Sequence, residues 1–182
     1  MSILQEQRTT LPAGTWHVDP VHSTVGFSVK HMVVANFRGG FGTFSVTLDE
    51  DGLWGTVDVA SIEVSEPNLN AHLLSPDFFD AERHPQLSFR STAVRGEGGA
   101  LEIDGELTIK GVTKPVTITG TAGGPATHPF DGSERLGLEF ETVIDRTAFG
   151  LDWNAPMPGG GFAVGNDVKL KAELELVLQP EA

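Results

Sequence analysis

Six histidines, His17, His22, His31, His72, His84 and His128, are the side chains best suited to metal ligation or base catalysis near neutral pH. None forms the HExxH spacing that puts two imidazoles on one helical face, and the chain has no cysteine. Any nitrogen-ligand metal site would therefore have to be assembled from distant segments; structural or surface roles are the simpler reading. Gly132-Ser133-Glu134 lacks the GxSxG elbow that exposes a serine nucleophile. Gly159-Gly160-Gly161 lacks the Lys-Ser/Thr of a phosphate loop. Paired carboxylates such as Asp104 and Glu106 share the polar face of a strand pattern, where charges are normally solvated. No enzyme signature emerges. What the chain offers in quantity is apolar surface at alternate positions.

The totals narrow the field further. A net charge of −13 repels nucleic-acid phosphates and anionic membrane surfaces, which argues against both as partners. No run approaches the ~18 apolar residues of a membrane-spanning helix, and the start MSILQEQRTTLPAG lacks a secretory pattern, so the expected location is the cytoplasm. Residues 1–13 read as a flexible N-terminal leader and 14–182 as one domain. With 22 glycines, about twice the ~7% average, turns and bent strands should be frequent.

Period-2 alternation runs through most of the chain. Val25, Phe27 and Val29 share one face; Phe44, Val46 and Leu48 follow on a strand predicted over Phe37–Leu48, with a bulge or bend at Arg38-Gly39-Gly40. His31 to Asn36 reads as a connection of one helical turn. Val57 and Val59 face inward, then Leu87 and Phe89, then Leu101, Ile103, Leu107 and Ile109. Lys110–Lys114 turns the chain into Val116 and Ile118. A loop over Gly123–Gly132 precedes Leu136, Leu138, Phe140 and Ile144, and the last strand carries Val168 to Leu178. One stretch, Asn68–Phe89, breaks the rule. Leu69, Leu73, Leu74 and Phe78 follow helical spacing, Ser75-Pro76 can start a second turn, and Pro85 stops it. The expected fold is all-β: about eight antiparallel strands in a lipocalin-like barrel, one end closed by this short helix. A two-sheet sandwich shares the alternation; the strand lengths favour the barrel. Inward phenylalanines could fill such a barrel or line a tunnel, and alternation does not choose between them.

Four segments then carry a family resemblance: Trp16-His17-Val18-Asp19-Pro20-Val21-His22-Ser23 with Val25-Gly26-Phe27 and His31; His72-Leu73-Leu74-Ser75-Pro76-Asp77-Phe78-Phe79-Asp80 with Pro85 and Phe89; Gly105 through Lys114; and Arg146-Thr147-Ala148-Phe149-Gly150-Leu151. The chain resembles the YceI family, lipocalin-like polyisoprenoid-binding proteins, from about Gly14 to Leu178. The resemblance implies a cavity holding a polyprenyl phosphate or quinone-type chain as bound ligand, no catalytic cofactor, and a homodimer. It makes a non-enzymatic role in binding, storage or transport the leading expectation. An enzyme acting on a small apolar substrate and a stress-related interaction module with a filled core are the alternatives. The expected wall comprises Phe27, Val29, Phe44, Val46, Val57, Val59, Leu74, Phe78, Phe79, Phe89, Leu107, Ile109, Leu138, Phe140, Phe149 and Trp153. His22, His31, Arg38 and Arg146 are the head-group candidates.

Overall fold

A computed structural model describes residues 11–182. Residues 1–10 of the expected leader lie outside that range; of the rest, Leu11 packs against the core and Trp16 Nε1 donates to the Ala13 carbonyl at 3.2 Å. The strands are β1 (Trp16–Val18), β2 (Thr24–His31), β3 (Ala35–Phe41), β4 (Phe44–Asp49), β5 (Gly52–Asp58) and β6 (Ile62–Glu63). After the helix α1 (Pro67–Leu74) come β7 (Gln86–Glu97), β8 (Ala100–Ile109), β9 (Val112–Thr127), β10 (Glu134–Asp145) and β11 (Val164–Leu178).

All pairings are antiparallel. The hydrogen-bonded order β1-β4-β5-β7-β8-β9-β10-β11 closes because β11 pairs back onto β1, Trp16 facing Leu178 and Val18 facing Leu176. That ring of eight is the expected barrel and excludes the sandwich. β2 and β3 continue β1 and β4 into its other half: β2 pairs with β11 along Val168–Glu173, and β3 pairs with β2. Closure leaves the meander without two long exposed edges.

Several boundaries differ from the sequence reading. Phe37–Leu48 is two strands, and Arg38-Gly39-Gly40 is no bulge, since the β2–β3 register runs unbroken from His31↔Ala35 to Val25↔Phe41. The break falls at Gly42-Thr43, whose amides donate to the Ser61 carbonyl and Ser61 Oγ, both at 3.0 Å. Gly39 is small for another reason: a Cβ there would lie 2.5 Å from Phe27 Cζ. The connection after His31 is a hairpin turn, not a helical one. Strand β9 extends to Thr127, inside the expected loop. Helix α1 starts earlier than expected, because Glu66 accepts from the amides of Asn68 and Leu69 and Pro67 occupies the first turn. It also ends earlier. Ser75 terminates it, its Oγ donating to the His72 carbonyl at 2.6 Å, so Phe78 and Phe79 sit on turns and not on a second helix.

The interior is unequal along its axis. At one end Trp16, Leu48, Leu53, Leu101, Ile103, Leu136, Leu138 and Leu176 meet as a solid core, with Ile103 and Leu176 wholly removed from solvent. Each contributes about 1.5–3 kcal/mol by burial. At the other end, beneath α1, the walls do not meet.

Candidate ligand cavity

The unfilled end encloses a cavity of about 590 Å³, a size typical of small-molecule sites. Its floor and sides are Phe27 and Val29 on β2, Leu107 and Ile109 on β8, Ile144 on β10, and Val168 and Leu170 on β11. The roof is α1 with the turns after it: Leu69, Leu73, Phe78 and Phe79. Phe149, Leu151 and Trp153 close the side. A smaller space of about 170 Å³ adjoins it, sharing Phe41, Leu87, Leu107 and Leu170 and bordered by Val46, Val57, Phe89 and Phe140.

Of the wall expected from sequence, Phe27, Val29, Phe78, Phe79, Leu107, Ile109, Phe149 and Trp153 border the main cavity, and Val46, Val57, Phe89 and Phe140 the smaller one. Four do not border either. Phe44 and Leu138 belong to the solid end; Val59 is buried in a single turn between β5 and β6; Leu74 packs among Phe41, Ile62 and Phe78. For Phe44, Val59 and Leu138, alternation assigns the inside of a barrel but not a height along its axis; for Leu74, helical spacing assigns a face but not the neighbours that face meets.

The head-group candidates separate widely. His31 reaches the cavity mouth, together with Lys30. Arg38 is exposed on the outer face of β3, beside Lys30, Lys169 and Lys171. Arg146 borders the cavity but is buried and committed to main chain: Nε donates to Gly165 O at 2.8 Å, Nη1 to Leu151 O at 2.5 Å and Trp153 O at 3.0 Å, and Nη2 to Val164 O at 3.3 Å. Burial lowers its guanidinium from the ordinary value, while the charges of Asp145 and Asp152 oppose that shift. Its role here is to bend the loop that carries Trp153 into the wall. Asn154 assists, bridging to the Val164 amide and carbonyl at 2.9 and 2.7 Å.

Two further residues position the roof, and sequence reasoning missed both roles. His72 stacks edge-on against Phe78 and Trp153, with ring centroids 5.0 and 4.6 Å away, and hydrogen-bonds Asp77 at 3.0 Å. Lys110 occupies the β8–β9 turn and donates through Nζ to Pro76 O at 2.8 Å and Gly150 O at 3.2 Å. One ammonium thus ties the turns after α1 to the side wall. The residue's exposed, charged type and its place in a tight hairpin gave no hint of this.

His22 lies outside the cavity, near the solid end. Among the described residues, Asp19, His22 and Glu175 form one cluster of metal-ligand type. The cation there is Arg135, whose Nη1 donates to Asp19 Oδ2 at 2.8 Å and Glu175 Oε1 at 3.0 Å. His22 Nδ1 lies 2.9 Å from the same Asp19 oxygen; that hydrogen bond raises the imidazole above its ordinary 6.5 and lowers Asp19. The raised histidine stabilises the fold below pH 6.5, and this contribution disappears as pH rises through the raised value. Asp19 contributes in the opposite sense, losing its part as pH falls through its depressed value. Titration followed by NMR should show the His22 ring protonating at higher pH than free histidine, and Asp19→Asn should return it to the ordinary value. An unchanged midpoint in that variant would remove the pair as the cause.

Comparison with known proteins agrees with this architecture. The family profile described as the YceI-like domain matches residues 16–176. A UPF0312 protein of Staphylococcus aureus (strain bovine RF122 / ET3-1) is 30% identical over 164 residues, 86% of this chain and 94% of the relative. The crystal structure of Burkholderia cenocepacia BcnA superposes with a TM-score of 0.72 at 27% identity, covering 87% of this chain and 98% of that one. A polyisoprenoid binding domain from Saccharophagus degradans, implicated in plant cell wall breakdown, shares the fold at a TM-score of 0.69 and 12% identity, over 90% of this chain and 98% of the domain. A closed barrel of this order, roofed by one short helix and matched along nearly its whole length, belongs to the YceI-like domain family.

Proposed function

We propose that the protein binds a long-chain isoprenoid, of polyprenyl phosphate or quinone type, with its tail in the cavity beneath α1, and carries or stores it without chemical change. The observation that carries this reading is the cavity itself: about 590 Å³ walled by Phe, Leu, Ile and Val from six strands of the barrel and roofed by α1. The shared fold of the Saccharophagus degradans polyisoprenoid binding domain supports the ligand class. The unfilled half weighs against a module with a filled core.

Burial supplies the affinity. At ~0.8 kcal/mol per buried CH₂, one five-carbon prenyl unit contributes about 3–4 kcal/mol before ordering costs. Three units then exceed the ~8 kcal/mol that micromolar binding needs. Head-group selectivity should be loose, since Arg146 is occupied by carbonyls and the other donors at the mouth are Lys30, His31 and Asn36. Affinity should therefore rise in graded steps from geraniol to farnesol to geranylgeraniol.

The test is a titration with farnesol of protein purified without detergent, with native mass spectrometry to identify any lipid already bound. Val29→Trp projects a large ring into the cavity from the middle of β2. It should weaken farnesol at least about tenfold while leaving the thermal midpoint near that of the parent protein, because the new side chain enters space and displaces no packed neighbour. Undiminished binding by Val29→Trp would place the ligand elsewhere and sink the proposal.

A further inference from the structure

The surface around the cavity mouth combines three features, although exposed apolar side chains also occur elsewhere, at Val21 and Phe130. The first is exposure of apolar groups. The turn joining β2 to β3 presents Met32, Val33 and Val34 at 42%, 70% and 85% exposure, and Phe162 on the facing loop is 61% exposed. The Met32 amide donates to the Ala163 carbonyl at 2.8 Å, so the turn and that loop form one surface. His31 and Ala163, each adjoining these side chains in the chain, border the cavity.

The second is the backbone. Met32 and Val33 have φ of 53° and 65°, the left-handed region. Tight hairpins with this geometry are served by Asn-Gly, and a β-branched residue there is disfavoured. The turn keeps its valine in an unfavourable conformation while most of the side chain stays in water, so packing within the protein does not account for it.

The third is charge. The chain has 25 acidic residues, yet none lies from Pro20 to Leu48 or from Trp153 to Asn166, and the first of these segments carries Lys30 and Arg38. The Met32–Val34 turn and the Phe162 loop are thus free of carboxylates on a protein of net charge −13, and the acidic groups flanking them, Glu141 and Asp167, share their groove with Lys30, Arg38, Lys169 and Lys171.

We propose that this rim docks on a lipid bilayer, the Met32–Val34 turn and Phe162 entering the interfacial layer with the cavity mouth facing the membrane. The inference rests on the isoprenoid-binding reading. A long apolar tail leaving a bilayer avoids water only if the receiving cavity opens at the bilayer surface. The side chains involved are those that partition into an interface, and the carboxylates elsewhere hold the rest of the barrel away from it, which fixes the orientation. The contact is apolar, so neutral phosphatidylcholine suffices and added salt leaves it intact.

The experiment is flotation of the full chain with phosphatidylcholine vesicles, alongside farnesol titration in solution. The parent protein should float with the vesicles. Val33→Glu combined with Phe162→Glu should lower the partition coefficient at least about tenfold, with farnesol affinity in solution unchanged. Val33→Asn should raise the thermal midpoint by relieving the turn and still weaken flotation, a combination that a purely structural role does not produce. Failure of the parent protein to float, or equal flotation by the double variant, overturns the proposal. So does sedimentation showing that the double variant splits a dimer, because a second copy would then cover the rim. Loss of farnesol binding in the parent protein with flotation intact overturns the ligand reading and leaves the docking surface standing.

Discussion

Replacing Arg146 by methionine should destabilise the protein by about 4 kcal/mol and abolish tight farnesol binding in the same variant. Arg146 is 5% exposed, and its guanidinium donates to four main-chain carbonyls, those of Leu151, Trp153, Val164 and Gly165. Methionine fills a similar volume but supplies no donor, so four acceptors in a partly dry site lose their partner together. Hydrogen bonds from a charged donor are worth about 1.5–3 kcal/mol each, and their sum is not additive. Their loss frees the loop that holds Leu151 and Trp153 against the cavity. Arg146→Lys keeps the charge and places one nitrogen where three had been, so it should fall between the two. Urea unfolding and farnesol titration on the three proteins check this. Parent-like stability in Arg146→Met would show that the carbonyls find other partners and that the arginine is free for a head group after all.

Gly120→Ala should be as damaging, for a steric reason. Gly120 lies opposite Phe140 in the β9–β10 ladder, on the inward face after Val116 and Ile118. A Cβ there would overlap the Glu139 carbonyl and the main chain of Phe140. Side chains can swing aside; a paired strand cannot move without breaking its ladder. A loss of about 3 kcal/mol or more is expected, measurable as a fall in the denaturation midpoint or in soluble yield. The matched control is Gly123→Ala on the same strand, where nothing lies within 4 Å of the new methyl. That change should stay within about 1 kcal/mol of the parent. Equal midpoints for the two variants would mean that β10 can shift outward at Gly120.

These two residues also show where sequence reasoning stops. Arg146 reads as a cation near an opening, which suits a phosphate; only folding reveals that the long loop curls back and consumes its donors. Gly120 sits in a threonine-rich strand and looks like any strand glycine until β10 is laid beside it. Lys110 is similar: its hairpin is legible from Lys-Gly, and both residues adopt the left-handed turn conformation, φ 50° and 75°. Its grip on Pro76 and Gly150 depends on segments 34 and 40 residues away.

Alternation of side chains was enough to determine antiparallel sheet around an apolar interior, because a strand wetted on one face must place every second residue inside; strand length favoured a barrel over a sandwich, and the β11–β1 pairing decided it. The helical spacing of Leu69, Leu73 and Leu74 likewise announced the α-helix that roofs the barrel. What alternation does not encode is height along the barrel axis, so Leu138 and Leu107 carry the same signal although one is locked in solid core and the other borders a cavity. That division arises from how closed strands tilt and which inward side chains meet across the axis. Trp16, Leu136 and Leu176 meet at one end, whereas α1 and the Arg146-held loop keep the opposite walls apart at the other. Whether a barrel is full or hollow is a property of distances between strands far apart in the chain, and only the tertiary structure decides it.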